Sequence, residues 1–136
     1  MFKHKPPYAD GQAIDTLIGP QVTLHGDLVF SGGLCVEGRV HGRIVAEEGA
    51  KAVLILAEQG RIEGEVRVPV VVINGALHGD VHASERVELA AKARVVGNVH
   101  YQVVEMRAGA TLTGRLIHAD AEAEVASGPV LVAASA

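Results

Sequence analysis

Apolar and polar positions alternate along most of this chain, and glycines punctuate the alternation at intervals. From Leu24 to Ile44 the even positions read Leu, Gly, Leu, Phe, Gly, Leu, Val, Gly, Val, Gly, Ile, while most odd positions are polar or charged. A period of two marks a strand with one buried face, whereas a helical face repeats every ~3.6 residues. The pentad apolar-x-Gly-x-apolar recurs at Leu24–Leu28, Val40–Ile44, Ile62–Val66, Leu77–Val81, Val95–Val99 and Leu112–Leu116. Successive pentad glycines lie 16, 22, 15, 18 and 17 residues apart. That is shorter than a helical-repeat unit and fits a coiled β-solenoid. The glycines share the parity of the buried face, where a missing side chain permits a tight corner or a close backbone approach.

A turn of about 18 residues divides into three strands of about six, giving a triangular coil that stacks on itself at about 4.8 Å per turn. The expected fold is therefore all-β and single-domain: a parallel triangular solenoid of about six rungs, roughly 30 Å long. Residues 1–13, with Lys3, Lys5, Pro6, Pro7 and Gly11, show no alternation and are expected to form a disordered or extended tail. The rod is expected over residues 14–118 and a second disordered tail over 119–136. Within that second tail Val130-Leu131-Val132 is apolar, and the sequence does not choose between a loose strand and a short helix. The 22-residue interval between Gly42 and Gly64 holds about four extra residues, and its polar part, Glu47-Glu48-Gly49-Ala50-Lys51, reads as a loop bulging from one corner. Val53 to Leu56 and Val68 to Ile73 are solid apolar strands, with Pro69 tolerated at a strand start or corner.

Composition supports the coil. The chain has 136 residues, 49% of them apolar, yet only two Phe, two Tyr and no Trp. A globular core of this size would normally use more aromatic bulk, while small branched side chains stack well inside a narrow coil. The net charge is -4, with Lys and Arg scattered among Asp and Glu, so no basic patch of the nucleic-acid type is present. No apolar run approaches the ~20 residues of a membrane span, and the amino terminus lacks the apolar stretch of a signal peptide, which points to the cytoplasm. Cys35, the single cysteine, reads as a packed or half-exposed structural thiol.

The repeat also sorts the polar residues into columns. After the pentad glycines come Asp27, Arg43, Glu65, Asp80, Asn98 and Arg115, whose mixed signs suit ion pairs between rungs, each worth at most ~1 kcal/mol when exposed. Before them come His25, His41, Glu63, His78, Val96 and Thr113. Glu63 interrupts the histidines, and a flat ladder converges poorly on one ion, so a solvated face is expected, with neither metal nor cofactor. Phosphate-loop, nucleophile-elbow, His-Glu-x-x-His and Cys-x-x-Cys motifs are all absent. An enzyme is not expected, and any polymer the chain forms should need no nucleotide.

Ile14-Asp15-Thr16-Leu17-Ile18-Gly19, then Leu24 to Leu34 and Val36-Glu37-Gly38-Arg39-Val40-His41-Gly42, resemble the opening of a bactofilin, the bacterial polymer-forming cytoskeletal family. The similarity continues through Ile73-Asn74-Gly75, Gly79-Asp80-Val81 and Leu112-Thr113-Gly114. The resemblance implies a right-handed coil whose copies join end to end into nonpolar filaments. Such filaments would be scaffolds for cell-shape or envelope machinery at the inner face of the cell membrane, with cell-wall enzymes or other envelope proteins as partners. Physics points the same way, because an uncapped solenoid exposes unpaired edges and a cut core at each end. The expected polymer interface is Ile14, Leu17, Ile18 and Val22 at one end and Leu112, Leu116 and Ile117 at the other. Where bactofilins bind membrane, a short amino-terminal segment with Met-Phe and lysines often does it; Met1, Phe2, Lys3 and Lys5 are the corresponding residues here. Burying Phe2 would contribute ~1.5 to 3 kcal/mol and each lysine near anionic lipid ~1 kcal/mol. Two other readings stand beside this one. A hexapeptide-repeat acyltransferase would need a strict six-residue period, which is absent, and a capped rod would be an adaptor that binds partner proteins on its exposed columns.

Overall fold

The computed structural model describes residues 15–118 and the backbone of residues 130–133. Met1, Phe2, Lys3, Lys5 and Ile14 lie outside the described residues, as do residues 119–129. The alternation folds as a coil of six turns with three strands each. The first turn is β1 (Thr16–Ile18), β2 (Thr23–His25) and β3 (Leu28–Phe30). The second is β4 (Gly32–Val36), β5 (Arg39–His41) and β6 (Ile44–Ala46). The third is β7 (Ala52–Leu56), β8 (Arg61–Glu63) and β9 (Val66–Arg67), and the fourth β10 (Val70–Ile73), β11 (Ala76–His78) and β12 (Val81–His82). In the last two turns the second and third strands run together across the glycine corner: β13 (Arg86–Leu89) precedes β14 (Arg94–Tyr101), and β15 (Val103–Met106) precedes β16 (Thr111–His118). All ladders among β1 to β16 are parallel. One face is β1-β4-β7-β10-β13-β15, and the halves of β14 and β16 join the other two. Of the two states open for Val130-Leu131-Val132, the strand forms, as β17 (Val130–Ala133).

Strand register stacks like upon like inside the coil. One column runs Ile18, Val36, Leu56, Ile73, Leu89, Met106. Two others run Leu24, Val40, Ile62, Leu77, Val95, Leu112 and Leu28, Ile44, Val66, Val81, Val99, Leu116. The interior members are essentially inaccessible, and no polar or charged residue is buried among the described residues. The long interval between Gly42 and Gly64 is absorbed at one corner. Phe30 and Gly32 are two positions apart, but their register partners Ala46 and Ala52 are six apart, and the four extra residues fold into a turn closed by Ala50 N–H donating to the Glu47 carbonyl at 3.1 Å. Pro69 sits between β9 and β10, where its carbonyl accepts the N–H groups of Glu85 and Arg86.

The pentad glycines form their own column. Gly97 has φ +141°, a left-handed conformation, and a methyl group built on it would run into the carbonyl of Gly79 in the turn below. Gly42, Gly64, Gly79 and Gly114 stand in the same relation to the glycine beneath them. Gly26 has the matching φ of +124°, but no turn lies beneath it among the described residues and its Cβ position is open.

Outside the coil, the column after the glycines contains one ion pair, Arg43 Nε to Glu65 Oε1 at 3.7 Å. Asp27 and Asp80 instead accept backbone N–H groups of the next turn, from Arg43 at 3.2 Å and Asn98 at 3.1 Å. His25 stacks on His41, whose Nδ1 lies 3.1 Å from Glu63 Oε1. On another face His82 stacks on His100 with centroids 4.3 Å apart, and its Nε2 lies 3.4 Å from Glu65, which Arg67 also engages at 2.7 Å. Burial, then His100 and Arg67, hold the His82 imidazole below its ordinary range, against the pull of Glu65 and Asp80. Among the described residues no group of three or more His, Cys, Asp or Glu side chains is placed to hold a metal ion.

Two stability predictions follow from these contacts. Gly97→Ala combines the left-handed penalty of ~1 to 2 kcal/mol with a backbone collision, so urea unfolding should show a loss of more than ~2 kcal/mol. Gly26→Ala carries the left-handed penalty alone and should cost ~1 to 2 kcal/mol; equal losses for both would remove stacking as the reason for the glycine column. For His82 the folded chain binds the proton less tightly than the unfolded chain. Stability should therefore hold above pH ~6.5 and fall as the pH drops through that value toward the depressed folded pKa. Thermal melts of His82→Gln should show a shallower acid slope than the parent, and an unchanged slope would assign the dependence to other groups.

Candidate assembly interface

The two ends of the coil are where its regular hydrogen bonding stops. At the first end β1, β2 and β3 each have a strand partner on one side only among the described residues, namely β4, β5 and β6. The chain enters this turn through Asp15, whose N–H donates to the Gly33 carbonyl at 2.8 Å while its carboxylate accepts the Gly33 N–H at 3.1 Å. A methyl group on Gly32 would meet that carboxylate, so glycine leaves room for the anchor.

The expected interface residues divide by the direction they face. Ile18 heads a core column and is 8% exposed. Leu17 is 57% exposed because it points out of the coil, in register with Cys35, Ile55 and Val72. Val22 is exposed at the corner before β2, with its carbonyl accepting Arg39 N–H at 3.0 Å. The cut core of the first turn is completed by Leu24, Leu28 and Phe30, all partly buried and packed on the cluster above. At the other end Leu112 and Leu116 close core columns, while Ile117 lies in the outward column with His100 and His82. Val104 and Met106 share that terminal core surface. Leu24, Leu28, Phe30, Val104 and Met106 were not singled out from the sequence. Part of the signal was present: the even parity from Leu24 to Ile44, carried back, puts Ile18 inside and Leu17 outside but also wrongly puts Val22 inside, and the last pentad puts Leu112 and Leu116 inside with Ile117 outside.

The ends are not equivalent. β17 pairs antiparallel with the first half of β16, matching Thr111 with Ala133, Leu112 with Val132, Thr113 with Leu131 and Gly114 with Val130. Leu112 is 1% exposed, whereas Leu24, at the opposite end of its column, is only partly buried.

A second apolar cluster lies outside the coil on the β1-β4-β7 face. Cys35, Val53, Ile55 and Val72 have the outward parity yet are 4–8% exposed, while outward Val29 and Val96 on the other faces are 62% and 44% exposed. The solid apolar runs at Val53–Leu56 and Val70–Ile73 were its trace in the sequence, since a strand covered on both sides loses its alternation. Burial, with Glu37 adding to it, pushes the Cys35 thiol up, which disfavours the reactive thiolate and fits a packing role.

A family model described as bactofilin, polymer-forming cytoskeletal, matches residues 16–117. Bactofilin BacP of Myxococcus xanthus (strain DK1622) is 30% identical over 114 residues, covering 84% of this chain and 46% of BacP, so the chain spans about half the length of that relative. Bactofilin BacO of the same organism is 28% identical over 102 residues, covering 75% of this chain and 78% of BacO. No solved structure matches the chain. With the six-turn coil, these similarities lead to one conclusion: the chain belongs to the bactofilins, a family described as polymer-forming cytoskeletal.

Proposed function

We propose that this chain assembles end to end, without nucleotide, into nonpolar filaments. These would be membrane-associated scaffolds for cell-shape or envelope machinery on the cytoplasmic side of the cell membrane. The observation that carries the reading is the first turn, where three strand edges lack a partner on one side among the described residues above a partly exposed core of Leu24, Leu28 and Phe30. Unpaired edges beside a cut apolar core are a template for another chain, and a second copy offers matching surfaces. A nonpolar filament needs two isologous contacts, first end to first end and last end to last end. The alternative, a capped adaptor rod that binds partners through its faces, draws support from β17 at the last turn.

Membrane attachment is proposed through Met1, Phe2, Lys3 and Lys5. One such segment supplies a few kcal/mol, and a filament presenting many raises apparent affinity by about 10² or more through multivalency.

Leu28 and Leu116 terminate one core column at its two ends, so each is a probe of one contact. Leu28→Arg and Leu116→Arg place an unpaired charge in one interface each, and negative-stain microscopy should show no long filaments for either. Sedimentation should then find dimers, joined through the intact end. Monomers would mean that copies stack head to tail, and unchanged filaments would remove that residue from the interface. In liposome flotation the full chain should rise with anionic vesicles and a chain lacking residues 1–5 should not; equal flotation would reject the amino-terminal anchor.

A further inference from the structure

β17 is the antiparallel strand in an otherwise parallel coil, and it lies on the outer edge of the last turn, the side of β16 away from β14. The direction matters because of how coils stack. Within the rod each turn circulates in the same sense, so a following turn, or a copy stacked head to tail, adds its strands in parallel. Turning a coil end over about a two-fold axis reverses the sense of circulation. A copy that docks last end to last end therefore meets β16 with antiparallel strands on every face, as β17 does over Thr111–Gly114. The same backbone groups of those residues cannot bond both β17 and a second copy. Leu112, which pairs with Val132 of β17, is 1% exposed. Its neighbour β15 has a strand partner only in β13 among the described residues, so the cover extends over part of the turn.

We propose that β17 is a self-supplied cap on the last turn, seated where the strand of a two-fold-related copy of this chain would pair, and displaced when that copy docks. This rests on the end-to-end reading above and adds a regulatory step to one of its two contacts: no strand covers the first end among the described residues, while the last end must release its own strand. Eleven residues of sequence separate His118, the end of β16, from Val130, the start of β17.

The test uses the full chain and its double variant Leu131→Pro, Val132→Pro. Adjacent strand residues direct their N–H groups to opposite sides, so the pair removes one that faces β16. Pelleting assays with electron microscopy should show the variant assembling at a concentration at least tenfold lower than the parent, with thermal melts as the folding control. Equal or weaker assembly of a folded variant overturns the cap and leaves end-to-end assembly standing. Failure of both proteins to assemble rejects the end-to-end reading and the cap with it. Hydrogen exchange on the unmodified chain gives a second measurement that needs no variant. The amides of Val130–Ala133 should be protected in dilute protein and lose protection in filaments, while those of Thr111–Gly114 stay protected in both. Retained protection of Val130–Ala133 in filaments would overturn displacement.

Discussion

Turns of this coil can lie one strand spacing apart at the pentad corner only because no side chain stands between them. At that corner the chain bends through a left-handed residue while the carbonyl of the glycine below occupies the space a Cβ would need, as Gly97 over Gly79 illustrates. Both demands fall on the same residue, and glycine alone meets them. Everything else is tied to this spacing. With the corners in register the strands pair in parallel, and with the strands paired each apolar residue meets its equivalent one turn away. Scarce aromatics are part of the same constraint, because columns of Val, Leu and Ile repeat at strand spacing without needing room to the side.

A coil held together by neighbour contacts has no internal reason to stop. Each turn is satisfied by the one below and the one above, and the terminal turns are each missing one of the two. The proposed assembly would use those ends, and the long faces carry weaker, exposed devices: carboxylates that accept a single N–H, stacked imidazoles and partly solvated ion pairs. The face carrying Cys35, Val53, Ile55 and Val72 departs from that pattern, since apolar residues are well covered there on the outside as well as the inside. The ends themselves differ through a strand that the repeat does not contain. β17 comes from beyond the coil and runs against its direction, so the last turn is partly satisfied by the chain itself.

Much of this was readable before any coordinates. Alternation and glycine spacing determined most strand faces, the number of turns and the corner that swells by four residues, because each is a local property of one repeat, whereas the strand read from Val68 begins only at Val70, after Pro69. The family followed from the same residues, since the repeat is the fold. Which residues form the cut core was encoded as well, in the even parity from Leu24 through Ile44 and again from Leu112 to Leu116, although exposed Val22 breaks it before Leu24. Tertiary structure decided two things that the sequence marked only in part or not at all. It brought the outward residues of separate strands together into a covered apolar cluster, and it set Val130–Ala133 antiparallel on the edge of Thr111–Gly114. The apolar runs marked the first only as strands covered on both sides, and neither segment of the second carries a mark of the other. A strand's own pattern specifies which side is buried, but the edge it joins and the direction it runs depend on which unpaired backbone lies within reach.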